Sequence, residues 1–166
     1  MAAGPQPAHY GRGPSPSMAE LSPVLVEEHH LMTRTSSEPP VRRPHILLVD
    51  DQVTLGRIIR LVLERKAEAT VTYIADSRAA LALLQTQRFD LLITDYRMPE
   101  VNGLQLAEKA RHCDPDIGIL VITGYPTPEL RDAVRCLGAC RMMRKPFSLA
   151  AIQEAVAALL PKGRSQ

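Results

Sequence analysis

Five polar residues stand at the ends of apolar runs, and their types together suit the handling of a phosphoryl group. Asp50 and Asp51 follow HILLV (His45 to Val49), and Asp95 follows FDLLIT (Phe89 to Thr94). Thr123 closes IGILVIT (Ile117 to Thr123), and Lys145 closes CRMMRK (Cys140 to Lys145). Two carboxylates about 4 Å apart repel by about 4 kcal/mol at an effective dielectric of roughly 20, so three gathered in one place call for a cation. Oxygen-only donors favour Mg²⁺, which takes a few carboxylates, keeps water and bridges to phosphate. A hydroxyl, an ammonium and a divalent ion facing a carboxylate match the charge on the three equatorial oxygens of a transferring phosphoryl group. The carboxylate is then the nucleophile, and the product is an aspartyl phosphate. Singly, each residue has a plainer use: an acid pair caps a turn, a strand-end threonine bonds its own backbone, a lysine is solvated. The chemistry therefore depends on a fold that brings all five to one edge.

The pattern from His45 to Pro161 predicts such a fold. Short apolar runs alternate with amphipathic segments, which reads as repeated βα units. ATVTYI (Ala69 to Ile74) supplies the remaining strand, and three of the five runs are nearly continuous in apolar residues, as strands covered on both faces are. Asp76 and Ser77 are placed to cap SRAALALLQTQR, Asn102 to cap GLQLAEKARH, and Thr127 with Pro128 to open ELRDAVRCLGA. Ser148 precedes the last helix, with Phe147 and Ile152 at the spacing of a hydrophobic staple. Five strands and five helices joined by short right-handed crossovers give a doubly wound α/β domain, a parallel sheet between two helical layers. Ligands of such sheets gather at the carboxyl ends of the strands, where the five polar groups fall.

The rest of the chain bounds the possibilities. Eight of the 14 prolines lie in the first 44 residues, so 1–44 reads as a disordered Pro-rich extension, 45–161 as the domain and 162–166 as a tail. Within the extension, Leu21 to Arg34 could form a short helix on a partner, and Met18 or Met32 could be the true start. The adjacent His29 and His30 have no nearby acid or cysteine to make a site with. A net charge of +2 spread along the chain argues against direct binding to nucleic acid. Three cysteines without ligand spacing (Cys113, Cys136, Cys140) fit reduced thiols, and no run approaches a membrane span, so a cytoplasmic protein is expected. GxxxxGK[ST] does not occur, which excludes nucleotide binding by that loop.

VDD at 49–51, TDYRMPEVNG at 94–103, VITG at 121–124 and KPF at 145–147 together resemble the receiver domain of two-component response regulators. The resemblance runs over essentially all of His45 to Pro161 and implies the flavodoxin-like (βα)5 fold with strand order 2-1-3-4-5. It makes Asp95 the phosphoacceptor and assigns Mg²⁺ to Asp50, Asp51, Asp95 and the backbone carbonyl of Arg97. Thr123 and Lys145 are to bind phosphoryl oxygens, and the Lys145–Pro146 bond is to be cis. The implied donor is a phosphohistidine on a sensor histidine kinase or a histidine phosphotransfer protein. Phosphorylation-dependent homodimerisation is left open.

Two departures and one surface bear on the later steps. Where the family commonly has Tyr or Phe, three residues before the lysine, this chain has Met142, a flexible thioether in place of a two-position ring. Arg97 and Tyr125, two residues after Asp95 and Thr123, are bulky where attacking water must pass. The helix QVTLGRIIRLVLERK has a wide apolar arc, and Leu55 and Ile58 are candidate contacts for a kinase. Only KGRSQ follows Pro161, too little for a DNA-binding or enzymatic output. The sequence thus predicts a stand-alone signalling phosphoacceptor, not an enzyme, that acts through an unknown downstream protein. The alternative is an interaction module independent of phosphorylation. A separate Mg²⁺-dependent phosphatase is disfavoured, because DYR at 95–97 lacks the second acid of a DxD pair.

Overall fold

The strands that carry the five polar residues are built from runs too apolar to leave either face in water. In the computed structural model they are β1 (His45–Val49), β2 (Thr70–Ile74), β3 (Leu91–Asp95), β4 (Gly118–Thr123) and β5 (Cys140–Arg144). They form one parallel sheet in the order β2-β1-β3-β4-β5. The structure describes residues 42–160 together with Gly4. The readings made for Leu21 to Arg34, for His29 and His30, for Met18 and Met32 as starts, and for 162–166 lie outside the described residues.

Successive side chains of a strand point to opposite faces, so each strand feeds two cores. Leu47, Val49, Leu92, Ile119 and Val121 meet α2 (Ser77–Thr86), α3 (Gly103–Cys113) and α4 (Pro128–Cys136) through Ala80, Leu84, Leu106, Ala107, Leu130 and Val134. Ile46, Leu48, Leu91, Ile93, Leu120 and Ile122 meet α1 (Val53–Lys66) and α5 (Leu149–Leu159) through Ile59, Leu63, Ile152 and Val156. The three central strands β1, β3 and β4 are buried almost throughout, whereas β5, at the edge, alternates between half-buried and exposed. Its exposed Arg141 and Arg144 put charge on an edge that could otherwise pair with another chain.

Four helices start as their sequences demand. Asp76 accepts hydrogen bonds from the backbone N–H groups of Arg78 and Ala79, Thr127 from Leu130, and Ser148 from Ala151. Asn102 and Gln105 form a reciprocal capping box. Ser77 does not share the capping of α2: it is the first helical residue, buried, and its hydroxyl donates to the Pro99 carbonyl at 2.8 Å. The Lys145–Pro146 peptide is cis.

The third strand begins two residues later than its apolar run. Phe89 and Asp90 are buried ahead of it, and Asp90 takes hydrogen bonds from the His45 amide at 2.7 Å and the Arg42 guanidinium at 2.6 Å. An acid thus closes the amino-terminal edge of the sheet, opposite the edge that carries the candidate site.

This distribution of burial predicts an uneven response to truncation. Ile93→Ala, in the central strand, should destabilise the domain by about 3 kcal/mol. Leu61→Ala, on the exposed side of α1, should change stability by less than about 0.5 kcal/mol. Urea midpoints of the two variants against wild type check both.

Candidate functional site

The parallel sheet delivers Asp50, Asp95, Thr123 and Lys145 to its carboxyl edge because each ends, or directly follows, a strand. Asp50 comes immediately after β1, Asp95 is the last residue of β3, Thr123 the last of β4, and Lys145 the first after β5. Asp50, Asp95 and Thr123 are buried. The Lys145 ammonium lies 2.6 Å from Asp95 Oδ1 and 3.0 Å from Asp50 Oδ2, so one cation bridges two buried carboxylates from different strands.

The remaining oxygens are held by nearby backbone. Asp95 Oδ2 accepts from the Arg97 N–H at 2.7 Å, and Asp50 Oδ1 from the Gln52 N–H at 2.8 Å. Thr123 Oγ1 accepts from the Tyr125 N–H at 3.1 Å, while the Lys145 N–H donates to the Thr123 carbonyl at 2.8 Å. The loops after β3, β4 and β5 are thereby tied to the strands that bear the polar groups.

Electrostatics follow from this burial. Burial pushes the Asp50 carboxyl above its ordinary value; the Gln52 amide and Lys145 pull it back in part, and the charge of Asp95 adds to the rise. For Lys145 burial alone would lower the pKa, but the hydrogen bonds it donates to Asp95 and Asp50 outweigh it and hold the ammonium above its usual range. The cation that three carboxylates were expected to require is, for Asp50 and Asp95, supplied by Lys145. Asp51 stands apart, with its side chain exposed. Among the described residues, no group of three or more His, Cys, Asp or Glu comes together ready to hold a metal ion. The donor chemistry nevertheless fits a hard divalent cation: Asp50 and Asp95 already direct oxygens at one shared positive charge, and Mg²⁺ needs only one or two carboxylates beside water and phosphate.

A family model for the response regulator receiver domain matches residues 46–157. The chain belongs to the response regulator receiver family. It is 36% identical over 104 residues to the response regulator receiver protein CpdR of Brucella abortus, covering 63% of this chain and 86% of that one. It is 28% identical over 116 residues to sporulation initiation phosphotransferase F of Bacillus subtilis, covering 70% and 93% respectively. Among solved structures, a Burkholderia pseudomallei response regulator with a phosphorylated aspartic acid, a calcium ion and citrate superimposes with a TM-score of 0.62 at 27% identity, over 70% of this chain and 66% of that one. The strand order 2-1-3-4-5 is that of the flavodoxin-like receiver fold. No helix among the described residues of this receiver is long and apolar enough to cross a membrane.

Around the receiver's acid pocket, the residues singled out for their departures take defined places. The Arg97 guanidinium stacks over the Tyr125 ring, 4.5 Å from its centroid, which links the loops after β3 and β4. Met142 is half-buried and packs into the core under α2, α3 and α4. On α1, Leu55 packs against the core shared with α5, whereas Ile58 is 44% exposed. The apolar arc of α1 thus divides into a core part and a solvent part, and of the two candidate contacts only Ile58 is well exposed.

Several supporting residues were not given a role at this site by the sequence. Thr94 Oγ1 donates to the Asp95 carbonyl at 2.9 Å. Gly103 lies so close that a Cβ there would come within 2.1 Å of the same carbonyl oxygen. Ser77 donates to Pro99 and accepts from the Val101 N–H at 3.3 Å, bracketing the loop that follows Asp95. Tyr73 donates to the Asp50 carbonyl at 2.9 Å. The signals were faint: a glycine directly after a cap residue, and a serine and a tyrosine that equally suit a helix start and a strand.

The raised pKa of Asp50 carries a stability prediction. Below its ordinary value of 3.8 the group is protonated both folded and unfolded, so no penalty arises. As the pH rises from 3.8 through the higher folded-state pKa, stability is lost. In the presence of a chelator at pH 7, Asp50→Asn should therefore raise the melting temperature by a few degrees, and the gain should vanish as the pH falls below 3.8. Thermal melts of both proteins across that range check it.

Proposed function

We propose that this receiver takes a phosphoryl group onto Asp95 from a phosphohistidine on a sensor histidine kinase or histidine phosphotransfer protein. It then signals by contact with another protein. The observation that carries this reading is the Lys145 bridge: a buried carboxylate at the end of the central strand, held by a mobile-headed cation that can follow negative charge.

An Asp95 carboxylate oxygen attacks phosphorus, the bond from phosphorus to the histidine nitrogen breaks, and the electron pair leaves with the imidazole. Lys145, now paired with Asp95 Oδ1, turns its ammonium to an oxygen of the arriving group. Thr123 keeps its hydroxyl proton free to donate to a second oxygen, since in this structure that oxygen accepts from the Tyr125 N–H. Mg²⁺, held by Asp50, Asp51, Asp95 and the Arg97 carbonyl, would supply positive charge against the phosphoryl oxygens. Burial of Asp50 beside Asp95 concentrates negative potential where that charge is needed. The Burkholderia pseudomallei relative, with its phosphorylated aspartic acid and calcium ion, supports this reading.

The domain proposed for this work is 45–161, with 1–44 an extension and 162–166 a tail. Docking of the donor is assigned to the exposed side of α1 around Ile58, with Leu55 at its inner margin. One observation favours a second reading, a phosphorylation-independent interaction module: Met142 provides no ring to signal the state of Thr123 to the face formed by α4, β5 and α5.

Incubation with Mg²⁺ and acetyl phosphate, read by intact mass, tests the main reading. One phosphoryl group should add to the wild type and none to Asp95→Asn or to a metal-free sample. A folded wild type that accepts nothing from acetyl phosphate or kinase donors would favour the second reading.

The stacked Arg97 and Tyr125 restrict the approach of water to the acyl phosphate. The phosphoryl group should therefore outlast that of an Arg97→Asn, Tyr125→Glu variant by about 10-fold, a change of roughly 1.4 kcal/mol in barrier. Decay of phosphorylated protein followed by mass measures the ratio.

A further inference from the structure

We propose that Tyr73 and Gly56 form a support that holds the Asp50–Asp51 turn, making Tyr73 a positioning residue for cation binding at that turn; this rests on the reading of the acid pocket given above.

Tyr73 lies in β2 opposite Leu48 of β1, and its side chain packs with the core covered by α1 and α5. Its hydroxyl donates to the Asp50 carbonyl at 2.9 Å. One residue on, the Ile74 carbonyl accepts from the Asp50 N–H at 3.3 Å. The chain leaving β1 is thus tied to β2 on both sides of the Asp50 Cα. The Asp50 carbonyl belongs to the same planar peptide unit as the Asp51 N–H, so fixing one fixes the plane from which Asp51 departs. That matters most for Asp51, whose exposed side chain is not directed by packing.

The ring reaches this carbonyl only by crossing α1 where the helix has no side chain. A Cβ on Gly56 would lie 2.2 Å from Tyr73 Cε2 and 2.5 Å from Cζ. Glycine weakens a helix relative to alanine, and α1 also begins at Gln52 without a side-chain cap bond, unlike α2 to α5. The start of α1 therefore gives up two local sources of stability. What it gains is a tyrosine hydroxyl seated on the backbone between the two acids.

Tyr73→Phe keeps the ring against Gly56 and removes only the donor. The expected result is an Mg²⁺ dissociation constant weakened about 10-fold, as for loss of other outer-sphere bonds to ligand residues. It is read by amide shifts during Mg²⁺ titration of the full chain. In metal-free protein the Asp50 amide, bonded to the Ile74 carbonyl, should exchange several-fold faster, while amides in β3 and β4 are unchanged. Gly56→Ala, which displaces the ring, should reproduce the weakening. In a Tyr73→Ala background the same substitution should leave Mg²⁺ affinity untouched and raise the melting temperature.

A Tyr73→Phe protein with a lower melting temperature but wild-type Mg²⁺ affinity and Asp50 amide exchange would overturn the proposal, leaving Tyr73 a packing residue. If wild type itself binds no Mg²⁺, the phosphoacceptor reading fails. The Asp50 amide exchange rate then decides the positioning proposal alone, and equal rates in wild type and Tyr73→Phe would reject it.

Discussion

The structure turns on one half-buried cation between two buried anions. Asp50 and Asp95 are taken out of water at the ends of neighbouring strands, and Lys145 is the group that makes this arrangement tolerable. A buried carboxylate without a partner would shed its charge; with the ammonium between them, the pair can remain ionised and poised. The compensation at Asp50 is incomplete, and its raised pKa records the imbalance. That residual negative potential is what a divalent cation would relieve, and the same cation would offset the charge of an arriving phosphoryl group. Stability and function therefore pull in opposite directions at this pocket, a conflict common where charge is kept for chemistry.

Everything around the pocket limits the freedom of those three charged groups. Central strands buried on both faces place Asp95 and the start of the Asp50 turn on rigid backbone. The Lys145 amide bonds to Thr123, so the cation's own loop is registered against β4. Ser77 brackets the loop after Asp95, and Gly103 lets the next helix start against the Asp95 carbonyl. Tyr73 does the corresponding work for Asp50. The outer rim is built differently: Arg97 and Tyr125 stack in solvent, with Tyr125 65% exposed.

The edge strand sets the reach of any signal. Met142 packs into the core beneath α4 on the strand that delivers Lys145. A movement of Thr123 would reach the outer face through a thioether that fills space in many rotamers, not through a ring with two positions. Under the proposed function, any coupling of the pocket to the surface formed by α4, β5 and α5 would run through this soft packing.

The amino-acid sequence by itself determined the alternation of strands and helices, four of the five helix starts and the ends of the strands to which Asp50, Asp95, Thr123 and Lys145 belong. Those are local properties: apolar runs of strand length, capping side chains and polar residues placed where a run stops. The order 2-1-3-4-5 came only through resemblance to a family, since periodicity does not say which strands are neighbours. Tertiary structure alone decided that Lys145 touches both Asp50 and Asp95, because residues 95 and 50 positions away in the chain meet it only across a folded sheet. It likewise decided that Asp51 faces outward, that Leu55 belongs more to the core than Ile58, and that a side chain at Gly56 would collide with the Tyr73 ring. Each of these depends on which atoms from distant segments compete for the same space or the same hydrogen bond, and no spacing within a single segment encodes that.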